Sequence, residues 1–409
     1  MSAPNEGAGE GAGAAPVVDS VPVSLAITFA IQTMVAFAVY CAPVMAPVAG
    51  PALGVSPATV GYYIAASYLG SMLGSAAAGG WVARFGPIRV SQASLALCGG
   101  GLALAASGWG PVVMLGGFIV GLGYGPTTPA SSSILVRTPA KYFSLIFSIK
   151  QTGVPAGGAL AGLLVPTLIL AVGWQWGAAA IGAACLLLAV AIAGVRSHYD
   201  RDLDPQAPVS LRSALAPVRL VLAERRLRQL CLAGFVYGGV QITLVTFLVT
   251  FLVESFLLSL VLAGLVMAVA QIASVTGRIV WGVLADRVLK RRTMLGLLGI
   301  GMGISSLLAL TAGPEWPRWL LFVYASAFGA TAVGWNGVYL AEVARLAPEG
   351  RASAATGGAL FFTFLGVVIT PPLFHVVLAL AGSYAVAYSV FAAPALAVGV
   401  WLLVTIARP

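Results

Sequence analysis

The sequence predicts an all-α integral membrane protein with twelve transmembrane helices in two pseudo-symmetric six-helix bundles. Three observations carry that prediction. Of 409 residues, 60% are hydrophobic and only 8% are charged, with a mean hydropathy of +1.00; soluble domains carry about 25% charged residues. Apolar runs of about 20 residues, the length a spanning helix needs, recur twelve times. The basic residues fall almost entirely on one side of those runs. The 50 glycines and 24 prolines sit inside the apolar runs, where membrane helices use them for close packing and for breaks.

Residues 1–20, rich in Gly and Ala with Glu6, Glu10 and Asp19, read as a disordered tail. Its acidic start and the long first apolar run argue against a cleaved signal peptide. The N-terminal bundle, 21–195, holds spans at 22–46, 57–83, 88–108, 111–136, 142–170 and 172–195. A polar cytoplasmic linker at 196–228 follows, with Pro205, Pro208 and Pro217. Its second half sets Leu211, Leu215, Leu220 and Leu222 among arginines, the pattern of a helix lying on a membrane surface. The C-terminal bundle, 229–409, holds spans at 229–253, 257–284, 293–312, 317–341, 352–380 and 383–407.

A cytoplasmic N-terminus places Arg84 and Arg89 inside, then Arg137 and Lys141, then seven arginines of the linker. Arg287, Lys290, Arg291 and Arg292 follow on the same side, then Arg345, Arg351 and Arg408. Eighteen of the 21 basic residues thus lie inside, against Arg318 outside. Lys150 and Arg278 fall within spans. The net charge of +9 therefore reports topology and not nucleic-acid binding. The expectation is a multi-pass monomer in a bacterial inner membrane, with both termini cytoplasmic. Cys41, Cys98, Cys185 and Cys231 are scattered singly, and His198 and His375 are far apart, so neither a disulfide framework nor a metal site is expected. No cofactor is expected.

The two halves repeat. A shift of 203 residues aligns Gly61 with Gly264, Ser71 with Ser274, Gly74 with Gly277, Gly79 with Gly282 and Arg84 with Arg287; a shift of 208 aligns Arg137 with Arg345. Such repeats are a signature of transporters whose substrate site lies at mid-membrane between the halves. Small residues also serve ordinary helix packing, but here the loop chemistry repeats as well. The loop Gly282-Val283-Leu284-Ala285-Asp286-Arg287, with Lys290, Arg291 and Arg292 after it, resembles the G-x-L-A-D-R signature of the major facilitator superfamily. In the first half the same loop reads Gly79-Gly80-Trp81-Val82-Ala83-Arg84, with Ala83 at the aspartate position. The resemblance covers the chain from about residue 22 and implies transport by alternating access. It also implies that the loop closes the cytoplasmic side in one state, with the C-terminal copy dominant here.

The acids are informative by where they are missing. No Asp or Glu occurs between Ser20 and Tyr199. Yet Lys150 lies nine residues past Lys141, about 13 Å into its helix, and Arg278 lies eight before Asp286, about 12 Å into its own. A cation at such depth costs about 2.5–3.5 kcal/mol on insertion scales and normally faces a cavity or a partner. With no intramembrane counter-ion in the sequence, an anionic substrate supplies the charge. Lys150 could instead snorkel or bind carbonyls freed near Pro155, and Arg278 could brace the cytoplasmic latch. In the superfamily the fifth and eighth helices are neighbours across the halves. Arg278 also resembles the carboxylate-binding arginine of its oxalate and monocarboxylate transporters.

Gln271, Ser274 and Arg278 share a helical face. Gln32, Tyr124, Gln241 and Asn336 complete the candidate substrate-binding set, on helices that line the central cavity in the resembled fold; interhelical hydrogen bonding is the alternative for each. Tyr62, Tyr63, Tyr68 and Trp335 could wall it. The run Val154-Pro155-Ala156-Gly157-Gly158 loosely resembles a motif of drug/proton antiporters and reads as a packing face and hinge. Asp286, Arg287, Glu342 and Arg345, with Arg351, form the candidate cytoplasmic gate. His375, 24 residues beyond Arg351 and so about 36 Å along its helix, is the candidate for proton coupling, against a bland reading as a solvated histidine.

Moving an anion inward against 100 mV costs about 2.3 kcal/mol, so a co-transported proton or a counter-anion is expected. The function read from the sequence is secondary transport of a small organic anion, a carboxylate, with drug or metabolite efflux by proton antiport as the alternative. An intramembrane enzyme would need a nucleophile–base or metal constellation, which the isolated His375 does not offer. A receptor would need an appended soluble signalling domain.

Overall fold

The computed structural model describes residues 20–135, 143–201, 203–207, 215–349 and 351–405. The expected tail at 1–19 and the expected loop residues Arg137, Lys141, Leu211, Arg212 and Arg408 lie outside them. The described chain is helical throughout: α1 (Val21–Ala52), α2 (Val60–Phe85), α3 (Pro87–Ala105), α4 (Gly110–Tyr124), α5 (Thr127–Leu135), α6 (Phe143–Gln151), α7 (Gly153–Val172), α8 (Trp174–Ala191) and the single turn α9 (Arg196–Tyr199). Then come α10 (Leu215–Ala223), α11 (Arg225–Phe256), α12 (Leu260–Arg287), α13 (Arg291–Leu308), α14 (Arg318–Ala332), α15 (Asn336–Leu346), α16 (Ala352–Ala381) and α17 (Tyr384–Val404).

Turn chemistry sets the boundaries. Gly86, at φ +91°, ends α2, and Pro87 opens α3 in its first turn. Ser259 and Ser383 cap α12 and α17 by accepting from the backbone N–H of Leu262 and Val386.

Among the described residues ten helices, not twelve, are long and apolar enough to cross a membrane unaided. The second and the tenth of the expected spans fall short, for different reasons. In α2, Gly, Ser and Tyr dilute the apolar residues. The expected span 317–341 is interrupted between α14 and α15, at Val333-Gly334-Trp335. Two further spans expected to be continuous are also broken: 111–136 at Gly125-Pro126 and 142–170 at Thr152. Outward-facing side chains such as Trp176, Leu187 and Val190 on α8 are more than 70% exposed, a surface suited to acyl chains.

The repeat seen in the sequence is a repeat of packing. The α1–α7 contact has its counterpart in α11–α16, α2–α4 in α12–α14, and α3–α8 in α13–α17. Between the halves, α7–α12 is matched by α16–α2. Paired contacts of this kind are what a pseudo-two-fold axis between parallel repeats produces. At the end remote from the basic loops this interface is tight. Gly162 on α7 and Gly264 on α12 approach so closely that a Cβ on either would strike the other's carbonyl oxygen. Toward the basic end a cleft of about 250 Å³ separates Met72, Ser75 and Ala76 of α2 from Gly357 and Phe361 of α16, with Pro217 of α10 beside it.

Candidate functional site

The break in the fifth span follows from one residue. Pro155 has no N–H, so the Gln151 carbonyl four residues earlier has no helical donor. Arg278, reaching across from α12, supplies one: its Nη1 donates to the Gln151 carbonyl at 3.2 Å. Its Nε donates to the Val333 carbonyl, also at 3.2 Å, at the break between α14 and α15. Two helix breaks on opposite halves thus hold one guanidinium. The half-buried Arg278 takes part in neither of the ion pairs found among the described residues, Asp286–Arg291 and Glu342–Arg345. Its Nη2 makes no hydrogen bond among them and is left open.

Lys150, 0% exposed, donates from Nζ to Gln151 Oε1 at 3.2 Å. Gln151 therefore bridges both cations, through its side chain to Lys150 and through its backbone to Arg278. The hydroxyls of Tyr40 and Tyr124 lie within electrostatic reach of the guanidinium. Tyr68 joins them: its hydroxyl is 3.3 Å from that of Tyr40, and its ring lies 6.0 Å from that of Tyr124.

Gln241 and Asn336 belong to the same assembly from the other side. The Gln241 Oε1 accepts from Trp335 Nε1 and from Asn336 Nδ2, each at 3.0 Å. Asn336 also reaches the Val333 carbonyl at 3.4 Å, the oxygen that Arg278 uses. Gln32, on α1, accepts from Thr128 Oγ1 at 3.3 Å, while its buried Nε2 has no partner. Gly153 makes room for the Gln32 stem, and Gly158 for the Gln271 amide, whose Oε1 is also buried without a partner. The glycines after Lys150 therefore serve the polar side chains as well as helix packing. Ser274 shares the face of Arg278 but turns its hydroxyl back onto the Gln271 carbonyl at 2.7 Å, so it does not extend the polar surface.

The aromatic wall expected from α2 is divided. Tyr68 joins the centre, Tyr63 lines a separate cavity, and Tyr62 packs its ring against the edge of His375 at 5.2 Å. His375 is half-buried, its Nδ1 has no partner, and it stands apart from Arg278 and Lys150 near the far end.

The expected gate residues form two separate pairs and not one network. Arg291 binds the exposed Asp286 at 2.7 Å, while Arg287 has no ion pair among the described residues. Arg345 grips the buried Glu342 with Nε and Nη2, at 2.8 and 2.7 Å. One carboxylate escaped sequence reasoning. Asp200, just after α9, accepts from the backbone N–H of Ile88 at 2.8 Å and of Arg89 at 3.1 Å, capping α3. The loop with Ala83 at its aspartate position thus takes its carboxylate from a segment 112 residues away. No local spacing could have signalled that.

The Major Facilitator Superfamily model matches residues 28–371. No curated protein matches the chain by sequence. Among solved structures, the chain resembles a peptide transporter determined in complex with sulfate, at 17% identity and TM-score 0.76 over 94% of each chain. It resembles a nucleoside transporter at 15% identity and TM-score 0.74, covering 94% of this chain and 99% of that one. A D-xylose-proton symporter follows at 14% identity and TM-score 0.71, covering 94% and 97%. Family model, repeat of packing and fold agree: the chain belongs to the major facilitator superfamily and is a transporter, not an enzyme.

Proposed function

We propose that the protein moves a small organic anion, a carboxylate, across the membrane by alternating access, coupled to protons or by exchange for another anion. The observation that carries the reading is the Arg278 guanidinium, fixed by two carbonyls, without a carboxylate partner among the described residues, and with Nη2 open. A buried or half-buried charge without a counter-ion is costly, and a bidentate carboxylate is the ligand a guanidinium fork fits best. Lys150, tied to the same Gln151, adds positive potential. Gln32, Tyr124, Gln241, Gln271 and Asn336 would contact the rest of the substrate. The neighbouring structures carry peptide, nucleoside and xylose by their descriptions, so the fold does not choose the cargo and the argument rests on the site.

In this reading residues 21–195 and 229–409 rock about the α7–α12 and α2–α16 contacts. The far end is closed by Gly162 against Gly264, and the cleft between α2 and α16 opens toward the basic end. The arginine-rich loops put that end in the cytoplasm. Asp286 with Arg291, and Glu342 with Arg345, act at the cytoplasmic gate, and His375 is the proton-coupling candidate.

The test is thermal stability of purified protein against carboxylates, sulfonates, sugars, amines and lipophilic cations, since a ligand of the folded state stabilises by mass action. Stabilisation by carboxylates that is lost in Arg278→Ala is the expected result. Stabilisation by lipophilic cations alone overturns the reading in favour of efflux by proton antiport.

A further inference from the structure

The second half of the linker, whose sequence reads as a helix on a membrane surface, folds into α10 with two different faces. Pro217 and Val221 stand one turn apart on it, and Val221 is 0% exposed. Both bear on Gly358 of α16, where a Cβ would strike the Pro217 carbonyl oxygen. Protein covers that face. On the other face Arg219 is exposed, and Leu222, three residues on, is 45% exposed; residues at that spacing are neighbours on a helix surface. Glu224, extended at φ −91° and ψ 116°, then turns the chain into α11. Arg225, Arg226 and Arg228 are exposed at the start of that helix.

Four arginines thus stand within ten residues, with Glu224 as the one acid among them. Neither ion pair found among the described residues involves any of the four. The bilayer sets their depth. α11 runs for 32 residues, or about 48 Å, whereas the hydrocarbon core is about 30 Å thick and the whole bilayer about 40–45 Å with its headgroups. The first turn of α11, and the elbow with α10 just before it, therefore stand among headgroups. An exposed leucine beside arginines gains nothing from a soluble anion, but at that depth it enters the boundary with the acyl chains.

We propose that the elbow between α10 and α11 binds the headgroup of an anionic phospholipid. Arg219, Arg225, Arg226 and Arg228 supply charge-assisted donors to its phosphate, and Leu222 packs on the acyl chains below. α10 is then held from two sides, by α16 and by lipid. Pro217 of the same helix borders the cleft between α2 and α16, so the lipid-bound helix stands at the rim of the opening between the halves. This surface shares no residue with the Arg278 centre and stands independently of the anion reading.

The experiment uses the full chain in phosphatidylcholine nanodiscs with a trace of phosphatidylglycerol that carries a diazirine near the top of one acyl chain. Labelled positions are mapped by mass spectrometry. Label is expected on Leu222 and its neighbours. A basic side chain near an anionic surface strengthens binding roughly fivefold. With two arginines on one headgroup, unlabelled phosphatidylglycerol should displace the label roughly thirtyfold better than phosphatidylethanolamine, whose headgroup has no net charge. Arg219→Gln combined with Arg225→Gln and Arg226→Gln should erase that preference. Arg84→Gln combined with Arg89→Gln and Lys290→Gln removes the same charge from other exposed positions and should leave it intact. Equal displacement by the two lipids overturns the proposal. So does an unchanged preference in the folded elbow variant, or an equal loss in both triple variants, which would reduce the elbow to a share of the general surface charge.

Discussion

Substitution of Arg278 gives two separable effects whose sizes follow from its hydrogen bonds. In the ligand-free arrangement Nε and one Nη1 hydrogen are committed to the Val333 and Gln151 carbonyls, leaving Nη2 and the remaining Nη1 hydrogen for a ligand. A carboxylate docked across that edge accepts two charge-assisted bonds, each about 1.5–3 kcal/mol. Arg278→Ala removes both, so carboxylate affinity should fall by roughly 10²–10⁴. Arg278→Lys keeps a point charge and loses the fork, so the expected loss is about one bond, roughly tenfold to a hundredfold. The same Ala substitution leaves the Gln151 carbonyl without a donor, because Pro155 has none, at a cost of about 1–3 kcal/mol of stability. Isothermal titration with the best carboxylate from the stability panel reads the first effect, and unliganded thermal denaturation reads the second. A folded Arg278→Ala protein that binds and transports the carboxylate as the unsubstituted protein does would refute the assignment of the guanidinium as the anion site.

Other substitutions test the frame around that site. Pro155→Ala restores an N–H to the fifth span and gives Gln151 its helical donor; α6 and α7 should join, Arg278 should lose its staple, and anion affinity should shift by several-fold, about the worth of one hydrogen bond, read by the same titration. Gly264→Leu places a side chain against the Gly162 carbonyl, so the far end should stay open; cysteine accessibility of far-end residues should rise, and an unchanged labelling pattern would count against that contact as the closed gate. Asp200→Asn weakens the cap on α3 and should cost about 1 kcal/mol, read as a lower midpoint of thermal denaturation with ligand affinity unchanged. Glu342→Gln breaks the pair with Arg345 and should alter the balance of inward and outward accessibility without changing which anion binds.

The sequence made the membrane class, the repeat and the two cations within spans visible because each is a pattern in composition or spacing. Arg278 and Lys150 stand out in spans that otherwise hold almost no charge, and membrane energetics alone marks such residues. The helix breaks were less visible. Pro155 was legible as a hinge, but that its missing N–H frees a carbonyl for an arginine on the other half requires the packing of α7 on α12. The knot of Gln241, Trp335 and Asn336 was equally hidden, since only the contact between α11 and α15 brings the first to the other two. Asp200 is the extreme case: an ordinary acidic residue in a polar stretch becomes the cap of α3 through tertiary contact alone.

The placement of charge within the centre also constrains how the carrier works. Arg278 forms no ion pair with a carboxylate among the described residues that a proton could neutralise, and His375 lies apart from it, against Tyr62. A titratable group in direct contact with Arg278 would let its deprotonation release the anion, because losing a proton adds negative charge beside the bound one; the hydroxyls near Arg278 belong to Tyr40 and Tyr124, and a phenol ordinarily titrates far above neutral pH. Coupling through the substrate's own carboxyl, or exchange of one anion for another, therefore fits the centre better than a relay through the protein. In proteoliposomes loaded with the same carboxylate, uptake of labelled substrate should then exceed uptake into empty vesicles at equal pH on both sides. It should also persist in His375→Ala. Uptake that needs a pH gradient and vanishes in His375→Ala would place the proton on the protein and reverse this argument.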